Sequence, residues 1–466
     1  MSVYLSGLFM WRNIGLQINK IRQEGTFVRY VSIVTSWNIA ISLIQFALSP
    51  IITRLYSPEQ YGVFALFNTI VTNLVLIGSL RYNEAIVVTE THGQRNNAIA
   101  LSFLSILGVS LLAAIVIFLW GDYLLQLIGV SWPGYLLYLI PLATLLGGGF
   151  EILISTNVSR KRFLSNGLSG FLLNLLSRGF NIFYALNIQA RAIGLIWGDI
   201  AGKIAGILIA LFSFGNLKNK TKKFYETVSW NSIKKVAYLY KNFPFYTLPT
   251  NLLLLLSGHL PIYFFTIQFN SQVVGNYALS SSLLEIVNRL IPYSIAGVFL
   301  PKAMELKKMS LQHLAESTYK LYWVMFWMAL LIFSGFALLG KIMFPLVFGE
   351  SWQTAGIYVA ILSLQYAINF IAVSLSDVYK VLSRQRFYLN AIIFSVVLKF
   401  GILVLSVWVG LNEKYALLWF CVAGCIGSIV QIVGIFNALN FRIFKISLSL
   451  ILLITVLTTI IFMINF

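Results

Sequence analysis

The feature that most constrains this chain is a series of apolar runs, each about twenty residues long and nearly free of charge. A helix needs about 20 apolar residues to cross a bilayer, and unpaired backbone groups are too costly in hydrocarbon for anything but helices or closed barrels. The runs are too long and continuous for barrel strands. With 59% hydrophobic and only 10% charged residues, the sequence predicts an all-α, polytopic membrane protein.

Thirteen runs can be placed, and a polar, lysine-rich stretch divides them. Residues 32–214 hold the first six runs, which predict an N-terminal lobe, and residues 246–438 hold the next six, which predict a C-terminal lobe. Residues 215–245 are the predicted cytoplasmic linker. Residues 1–31 are expected to be a cytoplasmic or interfacial segment, and 439–466 an extra thirteenth transmembrane helix. The runs are 32–52, 61–80, 97–119, 134–156, 165–187, 192–214, 246–268, 277–299, 320–340, 354–376, 388–410, 415–437 and 443–465.

A short repeat relates the two predicted lobes. The first two runs are joined by a turn at Ser57-Pro58-Glu59, where proline fixes φ and lacks a backbone donor. The segment that follows, Tyr61–Leu66 (YGVFAL), is matched in the second half by Val274–Leu279 (VGNYAL). The chain is therefore predicted to contain two related halves, each using a helix–turn–helix unit of this kind.

The net charge of +19 is explained by topology rather than by nucleic-acid binding. Lysine and arginine gather in the cytoplasmic loops of membrane proteins. With a cytoplasmic N-terminus, 24 of these residues fall in inner loops, and the outer loops hold Arg54, Arg191, Lys341 and Lys414. We therefore expect a cytoplasmic N-terminus, a C-terminus on the opposite side, and no nucleic-acid partner.

Nine charged residues fall within or at the ends of the apolar runs. Charges in a membrane are costly, and they usually face a cavity or a partner. The candidate substrate-binding cations are Arg81, Arg178, Lys203, Arg289 and Lys399. The candidate ion-coupling carboxylates are Glu84, Glu151, Asp199 and Glu285.

Spacing offers a structural explanation for some of these charges. Oppositely charged residues three or four positions apart on a helix can pair with each other and lower the cost of burial. Pairing on one helix and lining of a wet cavity are both compatible with the sequence. The three such pairs are Arg81–Glu84, Asp199–Lys203 and Glu285–Arg289.

Arg178 and Lys399 have no acidic neighbour on their own helices. The anion that such a cation needs can be a carboxylate of another helix or the phosphate of a substrate, and the sequence leaves both open. We expect these two residues to face one shared cavity with Arg81 and Arg289. Proton or sodium coupling is expected at the candidate carboxylates, chiefly at those paired with Lys203 and Arg289.

No catalytic or metal-binding pattern is present in the sequence. Cys421 and Cys425 lie one helical turn apart in an apolar run and are expected to be packing residues, and His259 is expected to pack beside a proline kink. We therefore predict no enzyme activity, no metal and no cofactor. Along the sixth run, glycine recurs at every fourth residue, which predicts close helix packing, at Gly194, Gly198, Gly202 and Gly206.

Three blocks stand in a fixed order along the chain. The first is Arg54–Gly62 (RLYSPEQYG) followed by Leu80–Val87 (LRYNEAIV); the second is Phe243–Pro249, Leu260-Pro261, Val274–Leu279 and Phe299–Lys302; the third is Phe348–Trp352, Ala355–Tyr358, Ser376 and Arg384–Arg386. In this order and spacing, the blocks resemble the Wzx-type O-antigen and polysaccharide flippases. These form the polysaccharide transporter branch of the multidrug/oligosaccharidyl-lipid/polysaccharide exporter superfamily.

The resemblance implies a flippase of the bacterial plasma (inner) membrane. Its expected substrate is an undecaprenyl-diphosphate-linked oligosaccharide, moved by alternating access to the outer leaflet for O-antigen, lipopolysaccharide or other surface-polysaccharide synthesis. A polysaccharide polymerase and a chain-length protein are the expected partners, and a proton or sodium gradient is the expected driving force.

Two other functions compete with this expectation. A drug or small-metabolite antiporter of the same superfamily has similar lobes but favours acidic residues for cationic cargo, whereas five of the nine intramembrane charges here are basic. A polysaccharide polymerase or ligase needs a large outer loop, and every predicted outer loop is short. The excess of basic over acidic intramembrane residues, together with the short outer loops, favours an anionic, lipid-linked cargo.

Overall fold

The computed structural model describes residues 27–129, 132–212, 224 and 226–465. Most of the predicted N-terminal segment 1–31, and residues 215–223 and 225 of the predicted linker, lie outside these described residues. All regular elements in the described ranges are helical.

The helices follow one another in the order of the predicted runs. They are α1 Phe27–Leu55, α2 Pro58–Ser79, α3 Tyr82–Val88, α4 His92–Ile128, α5 Tyr135–Ser159, α6 Phe163–Asn187, α7 Ala192–Phe212, α8 Trp230–Leu239, α9 Leu248–Gln268, α10 Ser271–Leu290, α11 Pro292–Met309, α12 Leu311–Phe348, α13 Gln353–Leu375, α14 Val378–Val381, α15 Gln385–Val409, α16 Glu413–Ala438 and α17 Ile443–Asn465. A π-helical turn at Phe243–Thr247 precedes α9, and a 3-10 turn at Glu350–Trp352 precedes α13.

Within the described residues, twelve helical stretches are long and apolar enough to cross a membrane, as judged by length and composition. The predicted all-α, polytopic membrane protein is thereby confirmed. The predicted run 165–187 forms helix α6 but is not among the twelve. Polar residues such as Asn174 and Arg178 lower the hydropathy of α6, and the Asn174 amide oxygen accepts a hydrogen bond from Gln45 of α1 at 2.6 Å.

Two predicted runs contain helix breaks. The run 277–299 is divided, because α10 ends at Leu290 and α11 begins at Pro292. The run 246–268 begins in the π-helical turn, which contains Pro244, and continues into α9. Proline fixes φ and lacks an N–H donor, so it suits the start of a helix but interrupts one that is already running.

A capping box builds the turn between α1 and α2. The Ser57 hydroxyl accepts from the Gln60 N–H at 3.4 Å, and the Gln60 amide oxygen accepts from the Ser57 N–H at 3.0 Å. Pro58 takes the first helical position, where no donor is needed. The Gln60 side-chain amide also donates to the Ala190 carbonyl at 2.5 Å, which ties the turn to the loop before α7. The predicted helix–turn–helix unit is therefore observed.

Successive spanning helices alternate in direction, so the connections between them lie alternately at the two ends of the bundle. We call one the Ser57 end; it carries the α1–α2 turn and the α9–α10 and α12–α13 connections. We call the other the linker end; it carries the described part of the linker and the start of α9.

The glycine-rich face of α7 packs closely on α6, as predicted. A Cβ atom at Gly198 would lie 1.7 Å from Oδ1 of Asn181, and one at Gly202 would lie 2.6 Å from the Leu173 carbonyl oxygen. Distances this short leave no room for a larger side chain, so the two helices are held at close approach within the first half of the chain.

The two halves meet where α2 crosses α10. Gly62 and Gly275 occupy equivalent positions of the sequence repeat, and here they face each other. A Cβ atom at Gly62 would lie 1.7 Å from the Ser271 carbonyl oxygen, and one at Gly275 would lie 1.8 Å from the Pro58 carbonyl oxygen. The contact is reciprocal, as in an interface with two-fold symmetry. A residue larger than glycine at either position requires the two backbones to move apart.

Further contacts join the halves at the Ser57 end. Trp352 is completely buried, and its indole Nε1 donates to the Thr53 carbonyl at 2.7 Å. The ring of Tyr61 packs edge-on against that of Trp352, with centroids 5.5 Å apart. Arg54 donates to the Leu346 carbonyl at 2.8 Å, near the end of α12 where carbonyls lack helical partners. These contacts close the Ser57 end between the halves.

We expect Gly62→Ala and Gly275→Ala each to lower thermal stability. The added methyl group overlaps a backbone carbonyl, and overpacking of this kind costs about 1–3 kcal/mol. Gly108→Ala is the matched control, because nothing lies within 4 Å of a Cβ atom at that position and alanine favours a helix. The measurement is the melting temperature of the purified protein in detergent. Equal melting temperatures for all three variants would contradict the close crossing.

Candidate functional site

A cavity of about 950 Å³ lies between the two halves. Helices α1 and α2 line it from the first half, and α9, α10, α13, α15 and α16 line it from the second. Tyr61, which packs on Trp352, forms part of its wall, so the cavity borders the closed Ser57 end. Its volume is that of a site for a sizeable ligand. We call it the central cavity.

Amide and hydroxyl groups make up much of the wall of the central cavity. They include Asn68, Thr69, Ser281, Ser282, Asn288, Gln365, Asn369, Ser395, Ser428 and Gln431. Both amide atoms of Asn288, and Oε1 of Gln365, are buried without a hydrogen-bond partner in the described structure. A buried polar atom left unpaired costs about 1–3 kcal/mol. These three atoms lie beneath the surface of the cavity, whereas the exposed or partly exposed side chains of Asn68, Asn369 and Gln431 can bind the hydroxyl groups of a ligand.

Three of the predicted charged residues line the central cavity: Glu285 and Arg289 of α10, and Lys399 of α15. Arg289 Nη2 donates to Glu285 Oε1 at 2.7 Å, and the side chains are 68% and 51% exposed. The pairing expected from their spacing is thus observed. An ion pair this exposed contributes little to stability. Both charged groups are accessible from the cavity.

Lys399 differs from the paired cations. Its Nζ lies 5.2 Å from the ring centroid of Phe420, which is a cation–π contact. In the part of the chain that the structure describes, no carboxylate oxygen lies within 4.0 Å of Nζ. Lys399 is therefore a cavity cation whose charge is available to an anion.

His259 also lines the central cavity, and it contacts the opposite half. Its Nδ1 lies 3.3 Å from Oδ1 of Asn73 on α2, and the Asn73 amide donates to the Tyr263 hydroxyl at 2.5 Å. Two polar contacts therefore join α2 to α9 in addition to the packing role expected for His259.

Arg81, Glu84 and Glu151 form a second cluster toward the linker end, outside the lining of the central cavity. Arg81 forms an ion pair with Glu84. When the Asn251 amide is oriented with its oxygen toward Arg81, this oxygen accepts from Nε at 3.0 Å, and Arg81 then connects the two halves. Asn83 donates to Glu151 at 3.2 Å. Arg81 itself has a left-handed φ of 57°, which is uncommon outside glycine and often marks a functional position.

The remaining predicted residues lie in the first half. Lys203 Nζ donates to Asp199 Oδ2 at 2.6 Å, and the side chains are only 14% and 16% exposed, so this expected pair is well enclosed. Arg178 on α6 is half-buried, and no carboxylate among the described residues lies within 4.0 Å of it. None of these three side chains is in the wall of the central cavity. Of the predicted residues, the cavity brings together the α10 ion pair and Lys399.

Sequence reasoning missed the amides of the central cavity, above all Gln365 and Asn369. They lie four residues apart on the largely apolar helix α13, so they share one face of it. Both line the cavity. A search for neutral polar residues at helical spacing finds this pair, whereas a search for charges does not.

Basic residues crowd together at the linker end, just beyond α5. Burial, and then the charges of Arg162 and Arg95, lowers the pKa of Arg160.

A family model described as "Polysaccharide biosynthesis protein" matches residues 51–357. The chain is also similar to the succinoglycan biosynthesis transport protein ExoT of Rhizobium meliloti (strain 1021), with 23% identity over 258 residues. This alignment covers 55% of the present chain and 50% of ExoT. The chain therefore spans about half the length of that relative.

Solved structures of similar fold are membrane transporters. The lipid II flippase MurJ, in an inward closed conformation, matches with a TM-score of 0.65 at 13% identity, over 93% of each chain. An inward-facing multidrug resistance MATE family transporter of the MOP superfamily matches with a TM-score of 0.54 at 13% identity, over 91% of this chain and 97% of that one. At such identities the likeness shows a shared fold. Since the family model covers more than half of the sequence, the chain belongs to the polysaccharide biosynthesis protein family and has the fold of MOP-superfamily transporters.

Proposed function

We propose that this protein is a flippase that moves a lipid-linked oligosaccharide from the cytoplasmic to the outer leaflet of a bacterial plasma membrane. The proposed carrier is undecaprenyl diphosphate, and the product serves O-antigen or other surface-polysaccharide synthesis. The observation that carries the proposal is the central cavity, in which Lys399, with no carboxylate within 4.0 Å among the described residues, lies among amide and hydroxyl side chains. A cation such as Lys399 can bind a diphosphate, and amide and hydroxyl groups can bind the hydroxyl groups of a sugar.

Each group has a proposed role. Lys399 binds the diphosphate, because its charge is not neutralised by a carboxylate. Arg289 adds a second cationic contact when its exposed pair with Glu285 separates. Asn68, Asn369 and Gln431, whose side chains are exposed or partly exposed in the cavity wall, bind sugar hydroxyl groups.

The proposed mechanism is alternating access between the two halves. The Trp352 and Arg54 hydrogen bonds hold the Ser57 end closed in the present state. Transport requires these contacts to break, while the contact of Arg81 with Asn251 holds the linker end. We assign the linker end to the cytoplasm on the basis of its basic residues, and the C-terminus to the opposite side because α17 runs away from that end. A polymerase and a chain-length protein are the partners we expect to receive the product.

A drug antiporter of the same fold is the alternative. The wall of the central cavity carries two cations, Arg289 and Lys399, against one carboxylate, Glu285, with His259 beside them. This balance favours anionic cargo over the cationic cargo of such an antiporter.

We expect Lys399→Gln to abolish most export while the protein inserts at normal abundance. Losing a hydrogen bond to a charged group costs about 1.5–3 kcal/mol, or roughly 10- to 100-fold in affinity. Lys399→Arg is expected to retain part of the activity, because it retains the charge. Export of surface polysaccharide in a deletion strain is the measurement, and Lys320→Gln, at an exposed lysine of α12, is the control. Normal export by Lys399→Gln at normal abundance would rule out its proposed role.

We expect Trp352→Phe to shift the population toward the state that is open at the Ser57 end. The change removes one hydrogen bond between the halves, worth about 1 kcal/mol or roughly fivefold in population. The measurement is labelling of Ser281→Cys in the cavity by a membrane-impermeant maleimide added outside, in a background where Cys421 and Cys425 are serine. Trp132→Phe is the matched control, because the buried Trp132 Nε1 has no partner in the described structure. Equal labelling of both variants would contradict this closure.

We expect the double variant Glu285→Gln and Asp199→Asn to lose gradient-driven export, because an amide does not take up a proton near neutral pH and lacks the negative charge that attracts a sodium ion. Export should fall by roughly tenfold, the effect of about 1.4 kcal/mol. Membrane vesicles assayed with and without proton and sodium ionophores provide the measurement, with Glu316→Gln on the exposed start of α12 as control. Wild-type export that persists after both gradients are collapsed would exclude the coupling role.

A further inference from the structure

Helix α8 of the linker is anchored to the first half of the chain at the linker end. One side of α8 buries Ile233 and Val236, and the helix packs against α4. The side-chain amide of Asn97 in α4 donates to the Thr227 carbonyl at 3.0 Å, and its oxygen accepts from the Ser229 N–H at 3.3 Å. These contacts hold α8 in place, so its remaining surface has a defined direction.

The outward face of α8 carries aromatic rings and lysines at helical spacing. Trp230, Lys234 and Tyr238 follow one another four residues apart, so they share one face of the helix. Trp230 and Tyr238 are 63% and 73% exposed. Lys234 Nζ lies 5.6 Å from the centroid of the Trp230 ring, and Lys241 Nζ lies 4.3 Å from that of Tyr238. These cation–π contacts hold two ammonium groups beside the exposed rings.

The position of α8 along α4 places this face at the level of lipid head groups. On α4, the exposed large apolar side chains extend from Phe103 to Leu127, which marks the part of the helix that faces hydrocarbon. The α8 contact at Asn97 lies six residues before Phe103, or about 9 Å along the helix. Interfacial helices lie at this distance from the hydrocarbon, and tryptophan and tyrosine are enriched there.

The charge of this surface selects the kind of lipid. The segment 226–246 contains three lysines and one acidic residue. Among the residues that the structure describes, no carboxylate oxygen lies within 4.0 Å of the Nζ atom of Lys234 or Lys241. Phe245 and Tyr246, both 71% exposed, extend the aromatic surface to the start of α9. Exposed rings beside ammonium groups that no carboxylate neutralises are complementary to an anionic membrane surface.

We infer that the outward face of α8 binds the phosphate head groups of anionic phospholipids in the leaflet at the linker end. Lys234 and Lys241 contact the phosphates, and Trp230 and Tyr238 insert at the interface. Since α8 leads through the π-helical turn into α9, the bound lipids hold the connection between the two halves at the membrane surface. This inference does not depend on the nature of the transported cargo.

The test compares two double variants that lose the same charge. Lys234→Gln with Lys241→Gln removes both ammonium groups of the outward face. Lys302→Gln with Lys308→Gln, at exposed lysines of α11, is the matched control. The full-length protein is placed in phosphatidylcholine nanodiscs that contain an increasing share of phosphatidylglycerol. Native mass spectrometry then measures how many molecules of each phospholipid stay bound.

We expect the α8 double variant to weaken phosphatidylglycerol binding by roughly 10- to 30-fold, because each lysine near an anionic surface contributes about fivefold. The α11 control should change this binding by less than about twofold, and phosphatidylcholine binding should be the same in all three proteins. Phosphatidylglycerol binding that is unchanged in the α8 variant would overturn the inference. An equal loss in both double variants would overturn it as well, since net charge alone then explains the binding.

A photocrosslinking amino acid placed at position 230 identifies what contacts this face in bacterial membranes. We expect crosslinks to phospholipid. A crosslink to another protein in place of phospholipid would overturn the inference, because the face is then a protein-docking surface. Neither measurement involves transport, so a negative result in either leaves the proposed function intact, and a failure of export leaves this inference intact.

Discussion

The backbone contact between Gly62 and Gly275 sets the geometry on which the rest of the structure depends. With no side chain on either residue, α2 and α10 cross so closely that each glycine approaches a carbonyl of the other helix. The central cavity opens beside this crossing, and its width follows from how near the two halves can come. Because this crossing involves the first residues of α2 and α10, it lies at the Ser57 end, and opening of that end in the proposed mechanism requires this contact to separate as well.

The intramembrane charges divide into two physical classes. Lys203 and Arg289 each pair with a carboxylate four residues away on the same helix, and Arg81, in the turn before α3, pairs with Glu84 of α3, so a nearby carboxylate offsets most of the cost of burying each cation. Lys399 has the face of an aromatic ring, which stabilises a cation more weakly than a carboxylate does. A cation in this second class is retained at a cost to stability, and such a cost is typical of a residue that acts on a ligand.

The sequence predicted the helices and the ion pairs because both depend on local spacing. Apolar length fixed the positions of the spans, and proline explains the two runs that are broken. The repeat identified Gly62 and Gly275 as equivalent, but their contact could not be predicted, since it depends on how two distant helices cross. The same limit applies to the cations. Arg178 and Lys399 have similar surroundings in the sequence, yet of these two only Lys399 lines the central cavity. The rotation and packing of each helix determine which of its faces lines the cavity, and the sequence does not specify them. Which residues bind substrate stays a prediction.

A proline interrupts helix α9 beside the central cavity. Pro261 has no N–H, so the Ser257 carbonyl four residues earlier loses its usual helical donor. Ser257 lines the central cavity, so the hydrogen bond that proline removes is lost beside the site. Pro261 is buried within the helix, and Ile262, which follows it, also lines the central cavity. Helix α9 therefore lacks one backbone hydrogen bond within the stretch that lines the cavity, and proline is where a helix bends most readily.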